Sequence, residues 1–264
     1  NIYGTFAEIG AGQETVRNFF RAGASSGTIA KAMSAYDKDF SDAIYGEEVD
    51  GRYVTESRLK KMLSHEINLV EQRLNRDKHP NKLFFSYANT VATIDFAKQF
   101  KGHGWVGIVY QVEPDEAYNE ITLHIRFKEN DAKLQQETLG ILGVNLIYGA
   151  FYKYNDPKKL LRYLYDHLDK DQIEIDTINF SGPRFANVDN RLMSLQLVKN
   201  GMTDAVMFGP DGKNILPAAV LYKKNILALR GSFRPVTKVN MDMYEESYNM
   251  FIQENKVDKE NTFV

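Results

Sequence analysis

The chain has 264 residues, 43% of them hydrophobic and 26% charged, with a formal net charge of −2 and no cysteine. That balance suits a globular protein with a substantial core, and it provides no global basic field for nucleic acid. Without cysteine the chain forms no disulfide, zinc–thiolate or iron–sulfur centre, which fits a reducing, cytoplasmic setting, and no apolar run reaches the about 18 residues of a membrane helix.

The first residue is Asn1, already inside an apolar run, so an upstream segment and a longer native chain are expected. Ile2 to Ile9 predicts a strand. It runs into Gly10-Ala11-Gly12, and a helix is predicted over 13–22 from Val16, Phe19 and Phe20. After the small-residue break at 22–27, Thr28 to Tyr36 reads as a second helix. Asp37 to Asp50 is acidic and turn-rich, and Leu59, Met62, Leu63, Ile67, Val70 and Leu74 give an amphipathic helix from about Glu56 to Arg76.

His79-Pro80-Asn81 ends that helix, and three strands follow at Leu83 to Val91, Trp105 to Val112 and Ile121 to Phe127. In the third, Ile121, Leu123, Ile125 and Phe127 share one face, leaving Thr122, His124 and Arg126 on the other. Pro114-Asp115-Glu116 suits a turn between antiparallel partners. A long helix is predicted from about Asp131 to Tyr152, with Gly140 and Gly143 admitting a neighbouring element. Asp156 caps the next helix with Pro157 in its first turn, and Leu160, Leu161, Leu164 and Leu168 form its buried stripe. Strand (Ile173 to Phe180), helix (Val188 to Lys199) and strand (Ala205 to Phe208) then suggest a parallel βαβ unit. A strand at Leu227 to Arg230, a helix at Tyr244 to Glu254 and a fraying tail from Asn255 complete the chain. The expectation is one α/β domain over 1–264: a mixed sheet, antiparallel over about 83–127 and parallel over about 173–208, flanked by helices.

Strand, glycine turn and helix start together are a device for bringing backbone N–H groups against a phosphate. Gly10, Gly12, Gln13 and Thr15 are therefore candidate anion-binding residues, with a purely structural turn as the alternative reading. Thr15 stands where a dinucleotide fingerprint has its third glycine, and Glu14 would repel a phosphate. The expected second strand with an acidic end is missing, because Asp37 and Asp39 follow an apparent helix. A second candidate is the arginine set Arg184, Arg191, Arg230 and Arg234, which follow strand-like segments and carry forks suited to phosphate or carboxylate oxygens. They either converge on an anion or pair with Asp176, Asp189 and Asp204.

The five histidines, at 65, 79, 103, 124 and 167, lack metal-site spacing. His103, between two glycines, is the best catalytic candidate, with Arg184 beside it in the proposed chemistry; a plain turn residue is the alternative for His103. His124 reads as a solvated surface group.

Three stretches resemble a widespread bacterial family of unsettled biochemistry: Gly4 to Val16, Leu139 to Asn145, and Arg230 to Thr237. The resemblance covers nearly the whole chain. Members carry the names nicotinate mononucleotide adenylyltransferase-like and TonB-dependent receptor-like. The receptor name conflicts with a sequence rich in helices and short of barrel strands. The other name implies nucleotidyl transfer, and Gly4-Thr5-Phe6 is similar to the opening of that enzyme class. Those enzymes continue with Asp-Pro and His-x-Gly-His, where this chain has Ala7-Glu8-Ile9 and Gly10-Ala11-Gly12, so no catalytic residue is carried across.

The leading expectation is a protein that binds a nucleotide or another phosphorylated small molecule, with nucleotidyl transfer and an accompanying magnesium ion as its narrower form. The alternative is a non-catalytic assembly or regulatory module acting as a homo-oligomer. Neither a membrane nor a nucleic acid is an expected partner.

Overall fold

A computed structural model describes residues 1–49 and 51–264, so Asp50, the end of the predicted acidic segment, lies outside the described residues. The chain divides into two compact units, Asn1–Asn214 and Ile215–Val264.

The first unit is built on a six-stranded sheet. In chain order its elements are β1 (Ile2–Gly10), α1 (Glu14–Ala22), β2 (Ile29–Ala35), α2 (Lys38–Tyr45), α3 (Glu56–Arg73), β3 (Leu83–Ala92), β4 (His103–Tyr110), β5 (Asn119–Phe127), α4 (Ala132–Tyr152), α5 (Pro157–Tyr163), β6 (Ile173–Ser181) and α6 (Asn190–Lys199). The strand order is β2-β1-β3-β4-β5-β6. β1 runs parallel to both β2 and β3, whereas β3, β4, β5 and β6 pair antiparallel in succession.

The fold is thus mixed α/β, with the expected antiparallel portion over 83–127. Its parallel portion is elsewhere than expected. β6 is an antiparallel edge strand, and the segment after α6 forms only β7 (Met207–Phe208), which pairs with β8 (Asn214–Ile215). The physical reason is the turn Pro210-Asp211-Gly212, closed by Gly209 N–H on the Lys213 carbonyl at 2.9 Å, which reverses the chain before it can reach the sheet. Parallel pairing instead arises at β2, a strand where the sequence suggested a helix. Ile29, Lys31 and Met33 turn toward the protein while Ala30, Ala32 and Ser34 face outward. That period of two, together with a place beside β1, overrides the helix preference of Ala, Lys and Met. The acidic stretch after it also differs from expectation, since it contains α2, capped by Asp37 accepting from Phe40 N–H at 2.8 Å.

One face of the sheet carries Phe85, Ile108, Leu123, Ile125 and Ile178 into a core shared with Leu139, Leu142 and Leu146 of α4, Leu160 and Leu161 of α5, and Leu197 of α6. α4 has the length and glycines that the sequence suggested. A Cβ on Gly140 would stand 2.7 Å from Glu14 Cβ, and one on Gly143 would stand 2.3 Å from Thr15 Oγ1, so both glycines admit the start of α1. The opposite face is covered over β1, β3 and β4 by α3, through Leu59, Met62, Leu63, Ile67 and Val70. Beyond the edge of α3 that face stays polar, with Glu120, Thr122, His124 and Arg126 on β5 and Glu174, Asp176, Thr177 and Asn179 on β6.

The second unit contains α7 (Pro217–Val220), β9 (Asn225–Ile226), α8 (Lys238–Phe251) and β10 (Thr262–Phe263). Two expectations are corrected here. Residues 227–230 are not a strand; the strand is the two residues before them. The tail does not end as a frayed segment, because Thr262 and Phe263 pair with Asn225 and Ile226, extended by Leu227 N–H on the Phe263 carbonyl at 2.9 Å. α8 begins six residues before the expected Tyr244, at a capping box of Thr237 and Asn240.

Candidate active site

Three polar side chains on the α3 side of the sheet form a hydrogen-bonded chain. His103 opens β4, and its Nδ1 stands 3.1 Å from Nε2 of His124 on β5. His124 Nδ1 in turn stands 2.7 Å from Asp176 Oδ1 on β6. His124 is 2% exposed, with the Trp105 ring 5.1 Å from its own centroid. It is therefore a buried residue and not the solvated one suggested by its place on the polar side of β5.

The approach of Asp176 to His124 depends on an irregularity in β6. His124 pairs with Thr177 and Ile125 with Ile175, so Asp176 has no residue opposite it. Such a bulge bends the strand and re-aims the extra side chain. Here it sends Asp176 to His124, where the sequence reading had it as a partner for an arginine. The signal lies in the apolar spacing of β6. Ile173 and Ile175 share one parity while Ile178 and Phe180 share the other, and all four are buried in one core. Only a one-residue insertion reconciles those parities.

The hydrogen-bond roles follow from chemistry. A carboxylate only accepts, so His124 Nδ1–H donates to Asp176. Between the two rings one nitrogen donates and the other accepts, according to the tautomer. His103 is itself neutral near pH 7: burial pushes it down to about 4, with the neighbouring His124 and Arg126 acting in the same direction and Asp176 opposing. When His103 Nδ1 is the donor, the Nε2 of this exposed residue is left free to accept a proton, in a ring oriented by the chain behind it. Arg126 is directly across from His103 in the β4–β5 register, is exposed, and has no hydrogen bond or ion pair among the described residues. A proton acceptor and a free guanidinium therefore share one edge.

The glycine turn is built differently. Gly10 has φ of +77° and passes so close to β3 that a Cβ would lie 2.2 Å from the Val91 carbonyl oxygen. A Cβ on Gly12 would meet Asn89 Oδ1 at 2.2 Å. Into the start of α1 points Glu8, 1% exposed, which accepts from Thr15 N–H at 3.1 Å, Val16 N–H at 3.5 Å and Asn89 Nδ2 at 3.2 Å. Thr15 is itself fully buried, its hydroxyl 3.0 Å from the Tyr87 hydroxyl. Burial raises the Glu8 carboxyl to about 7, against the lowering effect of these hydrogen bonds. An internal carboxylate thus receives N–H groups that the sequence suggested for an external anion, while Gln13 alone of that set is exposed. The acidic end expected after a second strand is present, because β2 leads into Asp37, and that side chain is used as the cap of α2.

The arginines are distributed over both units. Arg184 follows β6 and pairs with Glu116 at 2.6 Å and Glu113 at 2.9 Å. Arg191 pairs with Asp189 at 2.8 Å, the structural alternative named for it in the sequence. Arg230 and Arg234 belong to the second unit and lie outside its regular elements. Among the described residues no three His, Cys, Asp or Glu side chains are grouped to hold a metal ion. No helix among them is long and apolar enough to cross a membrane.

No family model, curated protein or solved structure matches this chain. The functional reading rests on its own residues.

Proposed function

We propose that this protein is an enzyme that binds a nucleotide or another phosphorylated small molecule and acts on it by general base catalysis at His103. The observation that carries this reading is the Asp176–His124–His103 chain, which ends in an exposed histidine that is neutral near pH 7. A histidine oriented by a second group, and that group by a carboxylate, is an arrangement that holds a neutral imidazole ready to accept a proton.

Arg126 supplies the anion-binding part. Its fork donates paired hydrogen bonds to phosphate oxygens, and it faces the base from the adjacent strand. With the phosphoryl group held there, His103 Nε2 accepts the proton of a water or hydroxyl whose oxygen bonds to phosphorus, while the P–O bond to the leaving alcohol, phosphate or pyrophosphate breaks and that group departs with the electron pair. Nucleotidyl transfer is the narrower form, in which the attacking hydroxyl belongs to a second substrate.

The test is incubation with a panel of nucleotides and phosphate monoesters, following release of phosphate or pyrophosphate. Turnover by the parent protein, lost in His103→Gln and Arg126→Gln variants that melt normally, is the expected result. Absence of turnover across the panel, joined to absence of binding at millimolar ligand, overturns the proposal.

A second reading, assembly into a homo-oligomer, is favoured by the second unit. None of its described residues is buried, and Val236, Val239, Met241, Met243 and Met250 are exposed. Sedimentation velocity over a range of concentrations tests it, with a monomer at every concentration as the outcome against it.

A further inference from the structure

A cavity of about 520 Å³ opens where the first turns of α3, the start of β5, the end of β6 and the start of α6 meet the β7–β8 turn. Glu56, Lys60, Glu120, Arg191, Lys213 and Asn214 line it. It is separate from His103. Glu120 and His124 lie on the same face of β5 but four residues apart, roughly 13 Å along the strand.

Two groups in its wall are hydrogen-bond acceptors without donors. Glu120 is half-buried and has no hydrogen bond or ion pair among the described residues, and burial pushes its carboxyl up. Lys60, whose charge acts on it, is already held by Glu56 at 2.7 Å. Asn214 is fixed in orientation because its Nδ2 donates to the Ile178 carbonyl at 3.0 Å and to Asn179 Oδ1 at 2.9 Å. Its Oδ1 is consequently the acceptor, and that atom is buried with no partner. Left empty, such acceptors cost the free energy of their lost hydration. At Glu120, which lines the cavity, a ligand that brings donors and positive charge repairs this.

The remaining wall has the opposite sense. Arg191 commits Nε and one terminal nitrogen to Asp189, leaving the other terminal nitrogen toward Gly212. Among the described residues Lys213 pairs only with exposed Asp211, at 3.1 Å. Cationic donors and an unfilled carboxylate therefore line one space of small-molecule size.

We propose that this cavity binds a small molecule carrying a primary ammonium group beside an acidic group, an amino acid or a close chemical relative, with the ammonium on Glu120 and the acid on Arg191 and Lys213. The site is independent of the catalytic reading at His103 and does not require it.

Saturation-transfer NMR with a mixture of the common L-amino acids, followed by calorimetry on those that respond, tests the assignment. Each responding compound is compared with its Nα-acetyl derivative, which keeps the carboxylate and loses the ammonium. The expected result is binding that weakens at least about tenfold both on acetylation and in Glu120→Gln. No response from any amino acid at millimolar concentration overturns the proposal. Equal binding of the acetylated forms also overturns it and points to an acid held by Arg191 and Lys213 alone. Should Glu120→Gln fail to fold, the acetylation comparison on the parent protein decides alone.

Discussion

The Glu8 network and the His103 chain are both polar clusters near strand ends of one sheet, and both contain a group shifted well away from its ordinary pKa. Their surroundings differ. Glu8 is closed in by Thr15, Tyr87 and Asn89, each fully buried, and spends its oxygens on the start of α1. His103 is closed only on its Nδ1 side and keeps Nε2 free at an exposed edge. A shifted pKa therefore marks desolvation in both, and access alone separates a structural group from a reactive one. Each test below separates the two clusters.

The largest expected contrast is in catalysis. Replacing His103 by Gln removes the proton acceptor and is expected to lower turnover by about 10²–10⁴-fold while leaving the melting temperature nearly unchanged. Glu8→Gln should leave turnover intact. A Glu8 variant that loses activity while remaining folded would show that the glycine turn belongs to the chemistry after all.

Next in size is the dependence of stability on pH. The Glu8 carboxyl is raised from 4.5 to about 7, so between those values the folded protein holds a proton that the unfolded chain has released. Its contribution to stability is full below pH 4.5 and is lost as pH rises through about 7, a change of up to about 3 kcal/mol. His103 has the opposite sign: its depressed value gives stability that is present above about 6.5 and lost as pH falls toward about 4. Urea titrations from pH 4 to 8 are expected to show the falling component removed by Glu8→Gln and the rising one by His103→Gln.

A third test concerns packing. Gly12→Ala would place Cβ against Asn89 Oδ1 and 2.9 Å from Leu139 Cδ2, so β3 or α4 has to shift. A loss of about 2 kcal/mol is expected, measured by chemical denaturation. Gly23→Ala, with open space around its Cβ but a φ of +81°, separates backbone strain from collision.

These contrasts also show what a sequence exposes. The alternation of β5, the Asp156-Pro157 helix start and the close approach at Gly140 and Gly143 are local or one-contact signals, and each could be read directly. β2 could not, because its residues suit a helix and only the neighbouring β1 makes them a strand. Glu8 was hidden for a related reason: a carboxylate reaching back to cap a helix six residues later leaves no periodic trace. His103 was legible as a candidate from its flanking glycines. Its partners were not, because the bulge that aims Asp176 is written in a parity change across β6, and pairing a carboxylate with His124 requires the β5–β6 register.

The smallest effect probes how the sealed cluster tolerates charge. Thr15→Val keeps the shape of a fully buried side chain and removes its hydroxyl. That hydroxyl lies 3.0 Å from the Tyr87 hydroxyl and also favours the ionised form of Glu8. Without it, Tyr87 retains only the longer contact from Asn89 Nδ2 at 3.4 Å, and Glu8 is left with backbone and amide donors. The expected loss is about 1 kcal/mol. It should be greater at pH 8, where Glu8 is ionised, than at pH 5, where it holds its proton. An equal loss at both values would mean that the hydroxyl serves Tyr87 alone, and that Glu8 is held by α1 without help from its first buried side chain.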